Sequence, residues 1–283
     1  MRLLGWTVLL LVVTACRKDD SFSGSGSPPA AVYLDQPYGA DSLQKMDIYL
    51  PAGRTLERTK VIILIHGGAW IQGDKSDFSE YVDTLKRRLP DYAIFNVNYR
   101  LATGTSDFFP AQEQDIQAAV SYIAQHFSSY QVSGKVVLLG ASAGGHLALL
   151  QGYKHPSPVL PAAIIDFFGP TDLADMYNHP LNPLIPPVIA SVMGGTPDQL
   201  PDLYAASSPL NFITPQSAPT LILQGGQDPL VAPSQSESLQ AKLQAAGVAN
   251  QYVFYPAEGH GWTGPDLTDS FNRIDSFLTA RVK

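Results

Sequence analysis

A serine with glycine two places away on each side, Gly140-Ala141-Ser142-Ala143-Gly144, directly follows the apolar run Val136–Leu139 and opens a helical stretch. Strand, serine and helix in that order force a sharp reversal of the chain. The turn holds the serine backbone in a strained conformation, crowds the residues on either side, and lifts the hydroxyl clear of the sheet. It also aims a helix N-terminus at any negative charge that forms beside the hydroxyl. A serine so placed is a candidate nucleophile, but its hydroxyl is weak until a base takes the proton.

Six histidines are available: 66, 126, 146, 155, 179 and 260. His260 lies in Glu258-Gly259-His260-Gly261-Trp262, a glycine-flanked loop between a strand ending at Tyr255 and the last helix. His146 is one helical turn past Ser142, where helix direction carries its side chain away from the turn. The carboxylate to orient a base has several candidates. Asp228 follows a strand in Gly225-Gly226-Gln227-Asp228-Pro229. Asp166 and Asp172 follow the preceding strand, Asp172 in a segment that reads as a turn or helix cap, and Glu258 is close along the chain to His260. A second glycine loop, His66-Gly67-Gly68-Ala69-Trp70, comes straight after the apolar run Val61–Ile65. By itself it is a tight turn. Beside the serine it becomes a source of backbone N–H groups for a developing oxyanion.

The elements that must position these groups are short and alternate in kind. Val61–Ile65, Ala93–Asn96, Val136–Leu139, Ala162–Asp166, Thr220–Leu223 and Tyr252–Tyr255 are continuous apolar or β-branched runs, the pattern of strands buried on both faces. Helical stretches lie between or after them at 78–89, 111–127, 143–153, 234–246 and 267–280. The alternation predicts an α/β fold with a mostly parallel central sheet and helices on both faces. Met46–Leu50 reads as an antiparallel edge strand. Residues 171–219 break the rhythm with Pro180, Pro183, Pro186, Pro187, Gly194 and Gly195; so long a connection is expected to be a cap or substrate-shaping insertion.

Of 283 residues, 45% are hydrophobic, enough for one large core, and the formal charge of −7 disfavours nucleic acid as a partner. There is no His-Glu-x-x-His cluster, phosphate-binding loop or dinucleotide fingerprint, so no metal or cofactor is expected. Asp47 and Asp115 read as scaffold positions. Tyr92, Tyr99, Phe108 and Phe109 fit core or pocket wall. Cys16 is the only cysteine and ends the sequence Val13-Thr14-Ala15-Cys16 behind Arg2 and an apolar run too short to span a bilayer. Residues 1–15 are therefore expected to be a lipoprotein signal peptide, with Cys16 the lipidated anchor and 16–29 a flexible tether. The folded domain follows at 30–283. Lys18-Asp19-Asp20 resembles a surface-export signal, which implies the outer membrane and exposure at the cell surface; the alternatives are the periplasmic side or secretion.

These motifs together resemble the α/β-hydrolase superfamily, in particular the bacterial esterase and acetylesterase branch related to hormone-sensitive lipase, from about Val32 to the C-terminus. The resemblance implies a serine carboxylic-ester hydrolase working through an acyl-enzyme, with chain order Ser142, Asp228, His260 for nucleophile, acid and base. It implies Gly68, Ala69 and Ala143 as oxyanion donors and His66 as a loop-orienting residue. Trp70 and Trp262 are assigned to the pocket. By analogy with relatives the substrate is an ester, such as an acetyl or feruloyl group on plant polysaccharide or oligosaccharide. The alternatives are another acyl hydrolase on the same machinery, an exopeptidase or arylformamidase, and a non-catalytic glycan-binding surface lipoprotein.

Overall fold

The computed structural model describes residues 27–283. The signal peptide over 1–15, Cys16 and most of the tether lie outside the described residues. In chain order the elements are β1 (Ala31–Pro37), β2 (Lys45–Leu50), β3 (Lys60–Ile65), α1 (Ser79–Arg88), β4 (Tyr92–Val97), α2 (Ala111–Gln125), α3 (Phe127–Tyr130), β5 (Val136–Ala141), α4 (Ala143–Lys154), β6 (Ala163–Phe167), α5 (Leu173–Asn178), α6 (Ile185–Met193), α7 (Pro201–Ala206), β7 (Thr220–Gly225), α8 (Pro233–Ala245), β8 (Asn250–Tyr255) and α9 (Gly264–Arg281). Short 3-10 turns occupy Lys75–Phe78 and Pro209–Phe212.

The strands form one sheet in the order β1-β2-β4-β3-β5-β6-β7-β8. β3 to β8 run parallel, while β2 is antiparallel to both β1 and β4. This is the α/β-hydrolase fold. Strand periodicity separates two cores. On β3, Val61, Ile63 and Ile65 face one side with Ile116, Leu147 and Leu239 of α2, α4 and α8. Ile62 and Leu64 face the other side with Val82, Leu85 and Ile274 of α1 and α9. Each aliphatic side chain so buried contributes about 1.5–3 kcal/mol, so the sheet is covered on both faces by the dominant stabilising term.

One expectation is corrected. β2 is not the edge: β1 pairs along its outer side through Ala31 to Pro37. Val32, Tyr33 and Leu34 of β1 are exposed, so no buried face marks this strand in the sequence. Residues 171–219 have more regular structure than their prolines suggest. They carry α5, α6 and α7, and prolines open α6 and α7 rather than breaking them.

Because β3, β5, β6, β7 and β8 are parallel, the loops that follow them share the carboxyl edge of the sheet. That edge is where a ligand crevice forms in open α/β folds.

Candidate active site

Between β5 and α4 the chain turns at Ser142, with φ 55° and ψ −122°, a conformation that costs on the order of 1–3 kcal/mol. The turn survives because the neighbouring backbones interlock. A Cβ on Gly144 would run into the carbonyls of Ile65 and His66 at the end of β3, and backbone cannot give way as a flexible side chain can. The Ser142 N–H donates to Phe167 O at 2.8 Å, tying the turn to β6.

His260 lies on the loop between β8 and α9. Its Nε2 is 2.8 Å from Ser142 Oγ and its Nδ1 is 2.7 Å from Asp228 Oδ2. The Asp228 side chain is fully buried beneath the imidazole, which is itself 16% exposed. Its Oδ1 accepts the N–H groups of Leu230 and Val231 at 2.8 and 2.9 Å. Both partners are donors, matched to a carboxylate, which when ionised can only accept. In the neutral imidazole Nδ1–H then donates to Asp228, and Nε2 is the nitrogen that accepts Ser142 Oγ–H. The two loops are stitched together by Gln227 N–H to Glu258 O at 2.8 Å and Gly226 N–H to Tyr255 O at 2.8 Å. Phe168 packs against the imidazole with ring centroids 4.6 Å apart.

The rival carboxylates are occupied elsewhere. Asp166 is fully buried; its Oδ1 accepts Gly169 N–H at 3.0 Å, its Oδ2 has no partner, and burial pushes it up to about 7. Asp172 caps α5 by accepting Asp175 N–H at 3.0 Å. The Glu258 side chain makes no hydrogen bond to His260 among the described residues. Asp115 holds Arg100 at 2.6 Å and Asp47 holds Lys75 at 2.9 Å, both scaffold pairs.

Facing Ser142 is the loop after β3. Gly68, Ala69 and Trp70 all have positive φ, at 111°, 51° and 63°. At Gly68 a side chain would also collide with the Gln72 carbonyl, so glycine is required there. The N–H groups of Gly68 and Ala69 have no acceptor among the described residues. Ala143, first in α4, has an N–H that no intrahelical carbonyl can reach. Three unengaged donors at the serine are what an oxyanion would need. His66 bonds Gly67 O at 2.7 Å and stacks on Tyr99 at 4.3 Å, and the Tyr99 hydroxyl donates to His66 O at 2.9 Å.

Ser142 opens onto two cavities. One, about 360 Å³, is walled by Trp70, Met176, Ile185, Val188, Ile189 and Leu230, mostly from the stretch after β6. The other, about 380 Å³, is lined by Gln72, Asp77, Tyr81, Phe168 and His260. Trp70 thus walls a cavity while remaining buried. Trp262 lines neither. Gly261, at φ 103°, turns the chain so that the indole enters the core beside Tyr255, Phe167 and Phe168 and donates to Ser270 Oγ at 2.9 Å. The apolar wall residues Met176, Ile185 and Ile189 were not legible in the sequence; the helical spacing of Ile185 and Ile189 is the only trace of that face. Among the described residues no group of three His, Cys, Asp or Glu side chains could hold a metal ion.

His146 ties the elbow to the covering segment. It is fully buried; Trp70 Nε1–H donates to its Nδ1 at 3.3 Å, and its Nε2 is 2.7 Å from Ser207 O. Burial pushes its pKa down from 6.5 to about 4. The unfolded chain therefore binds the proton first as pH falls, and stability present above about 6.5 is lost on the way down to about 4. Urea unfolding should show wild type losing up to about 3 kcal/mol more than His146→Gln between pH 7 and pH 4. Equal losses in the two proteins would exclude this role for His146.

Comparison with known proteins agrees with the fold and the motifs. The BD-FAE family matches this chain over residues 46–243. The chain belongs to the BD-FAE family. Among curated relatives it is 29% identical over 266 residues to dipeptidyl aminopeptidase BIII of Pseudoxanthomonas mexicana, covering 87% of this chain and 36% of that protein. It is 23% identical to esterase LipC of Mycobacterium tuberculosis, covering 82% of this chain and 59% of the esterase. The chain thus spans about a third of the length of the first relative and under two thirds of the second. Among solved structures, a truncated carbohydrate esterase from gut microbiota superimposes with a TM-score of 0.76 at 24% identity, covering 90% of this chain and 99% of that one. That likeness is one of fold.

Proposed function

We propose that this BD-FAE family member is a serine hydrolase of carboxylic esters that works through an acyl-enzyme. The observation that carries the reading is the unbroken chain from Ser142 Oγ through His260 to buried Asp228, with links of 2.8 and 2.7 Å. In this mechanism Ser142 attacks the ester carbonyl as Nε2 takes its proton. Asp228 stabilises the imidazolium that results. The new oxyanion faces the N–H groups of Gly68, Ala69 and Ala143, each worth about 3–4 kcal/mol of barrier. The imidazolium then gives its proton to the departing alcohol, and water repeats the sequence to free the acid. Acetyl or feruloyl groups on plant polysaccharide are the proposed natural esters. Lipidation at Cys16, which rests on sequence alone, would put the site where such material is met.

Named relatives include a peptidase and a kynurenine formamidase, the latter 27% identical to this chain. Against an aminopeptidase stands the cavity wall around Trp70 and Met176: it has no carboxylate to receive a peptide's N-terminal ammonium. A fluorophosphonate probe followed by peptide mapping should label Ser142. Nitrophenyl acetate and acetylated xylan should be turned over in preference to dipeptide nitroanilides. Dominant anilide turnover, or labelling at another residue, would reject the proposal.

A further inference from the structure

Resting on the ester-hydrolase reading, the two cavities can be told apart by where a proton has to go. When the acyl-enzyme forms, the C–O bond to the alcohol breaks and its electron pair stays on the leaving oxygen. The proton on His260 Nε2 passes to that oxygen, while the acyl carbon stays on Ser142 Oγ. The leaving oxygen must therefore depart on the imidazole side. Of the two cavities at Ser142, only the one containing Asp77 and Tyr81 includes His260 in its wall. The cavity walled by Trp70, Met176 and Ile189 has no ionisable side chain and takes the acyl half. Leu230, which lines both, stands between them.

We propose that Asp77 sets the charge specificity of the alcohol half, accepting hydrogen bonds from the hydroxyls of a neutral sugar and repelling anionic alcohols such as uronates. Three observations support this. Asp77 is exposed at the cleft and, among the described residues, is the one carboxylate in its wall. Its Oδ2 is fixed by Asp74 N–H at 3.0 Å, whereas its Oδ1 has no partner among the described residues, leaving a held acceptor aimed at nothing in the chain. Among the described residues no lysine or arginine lines the cleft; besides Asp77 and His260 its one ionisable group is Tyr81, which stays a neutral hydroxyl because burial raises its pKa. Tyr81 and Phe78 meet edge to face at 5.0 Å, giving an apolar surface beside that acceptor, the combination a sugar ring presents in reverse.

The test compares two esters with the same acyl group and ring: acetylated methyl glucopyranoside and acetylated methyl glucuronopyranoside. Wild type should favour the neutral ester in kcat/KM by about fivefold, the scale of one exposed like-charge contact. Raising the salt from 20 to 500 mM should narrow that ratio. Asp77→Asn, which keeps an acceptor for Asp74 N–H, should bring it to about one by raising activity on the uronate; Asp77→Ser should do the same. An equal preference in wild type, a ratio insensitive to salt, or an unchanged ratio in both folded variants would overturn the proposal. Failure of the wild-type protein to hydrolyse nitrophenyl acetate at all would instead show that the underlying ester-hydrolase reading is wrong, and the inference would fall with it.

Discussion

Ser142→Ala should lower kcat on nitrophenyl acetate by about 10⁴ to 10⁶ while leaving the fold intact. The hydroxyl is the group that would form the covalent bond, and no nearby side chain can replace it. Activity above the water rate should persist at a low level, because the N–H groups of Gly68, Ala69 and Ala143 remain in place. Alanine has a Cβ like serine, so the strained φ of 55° is neither relieved nor worsened. The melting temperature should move by no more than about 2 °C. Steady-state kinetics and a thermal melt on the same preparation decide the matter. A variant that retains a tenth or more of wild-type kcat would remove Ser142 from the chemistry.

Asp228→Asn should cost about 10⁴ in kcat with little change in KM. The amide is isosteric and can still accept Leu230 and Val231 N–H on its oxygen. Its NH₂ would then face His260 Nδ1, where the carboxylate had accepted a hydrogen bond. The imidazole would have to accept there and carry its proton on Nε2, pointing at Ser142 Oγ. A base with its lone pair turned the wrong way cannot take the hydroxyl proton. Full loss of charge stabilisation for the imidazolium adds to the effect. A fall of less than tenfold would mean that Asp228 is not the acid that orients the histidine.

The proposed reacting groups were legible because each sits after the end of a strand. Val61–Ile65 and Val136–Leu139 are uninterrupted apolar runs whose shortness, β-branched residues and following glycines separate them from a buried helix segment. The glycines at 67, 68, 140 and 144 then mark turns too tight for side chains. Three features were not legible, each for a physical reason. β1 has hardly any buried face, so its sequence carries no alternation. The helices after β6 are short and two start with proline, which reads as a breaker unless the helix start is already known. Trp262 differs from Trp70 only in where one glycine φ sends it, and a backbone angle leaves no mark in the composition of a loop. Asp77 and Tyr81 went unnoticed because a charged residue on a short exposed turn looks like any other solvated surface.

The cavity assigned to the acyl group draws most of its wall from one uninterrupted stretch, with Met176, Ile185, Val188 and Ile189 all between β6 and β7. Ser142, Asp228 and His260 all lie outside it. On the proposed reading, size and shape selection lie on this one stretch, while the reactive groups stay on the frame. Recombination that exchanged that stretch between homologues could change acyl preference in a single step, and the reacting atoms would not have to be rediscovered.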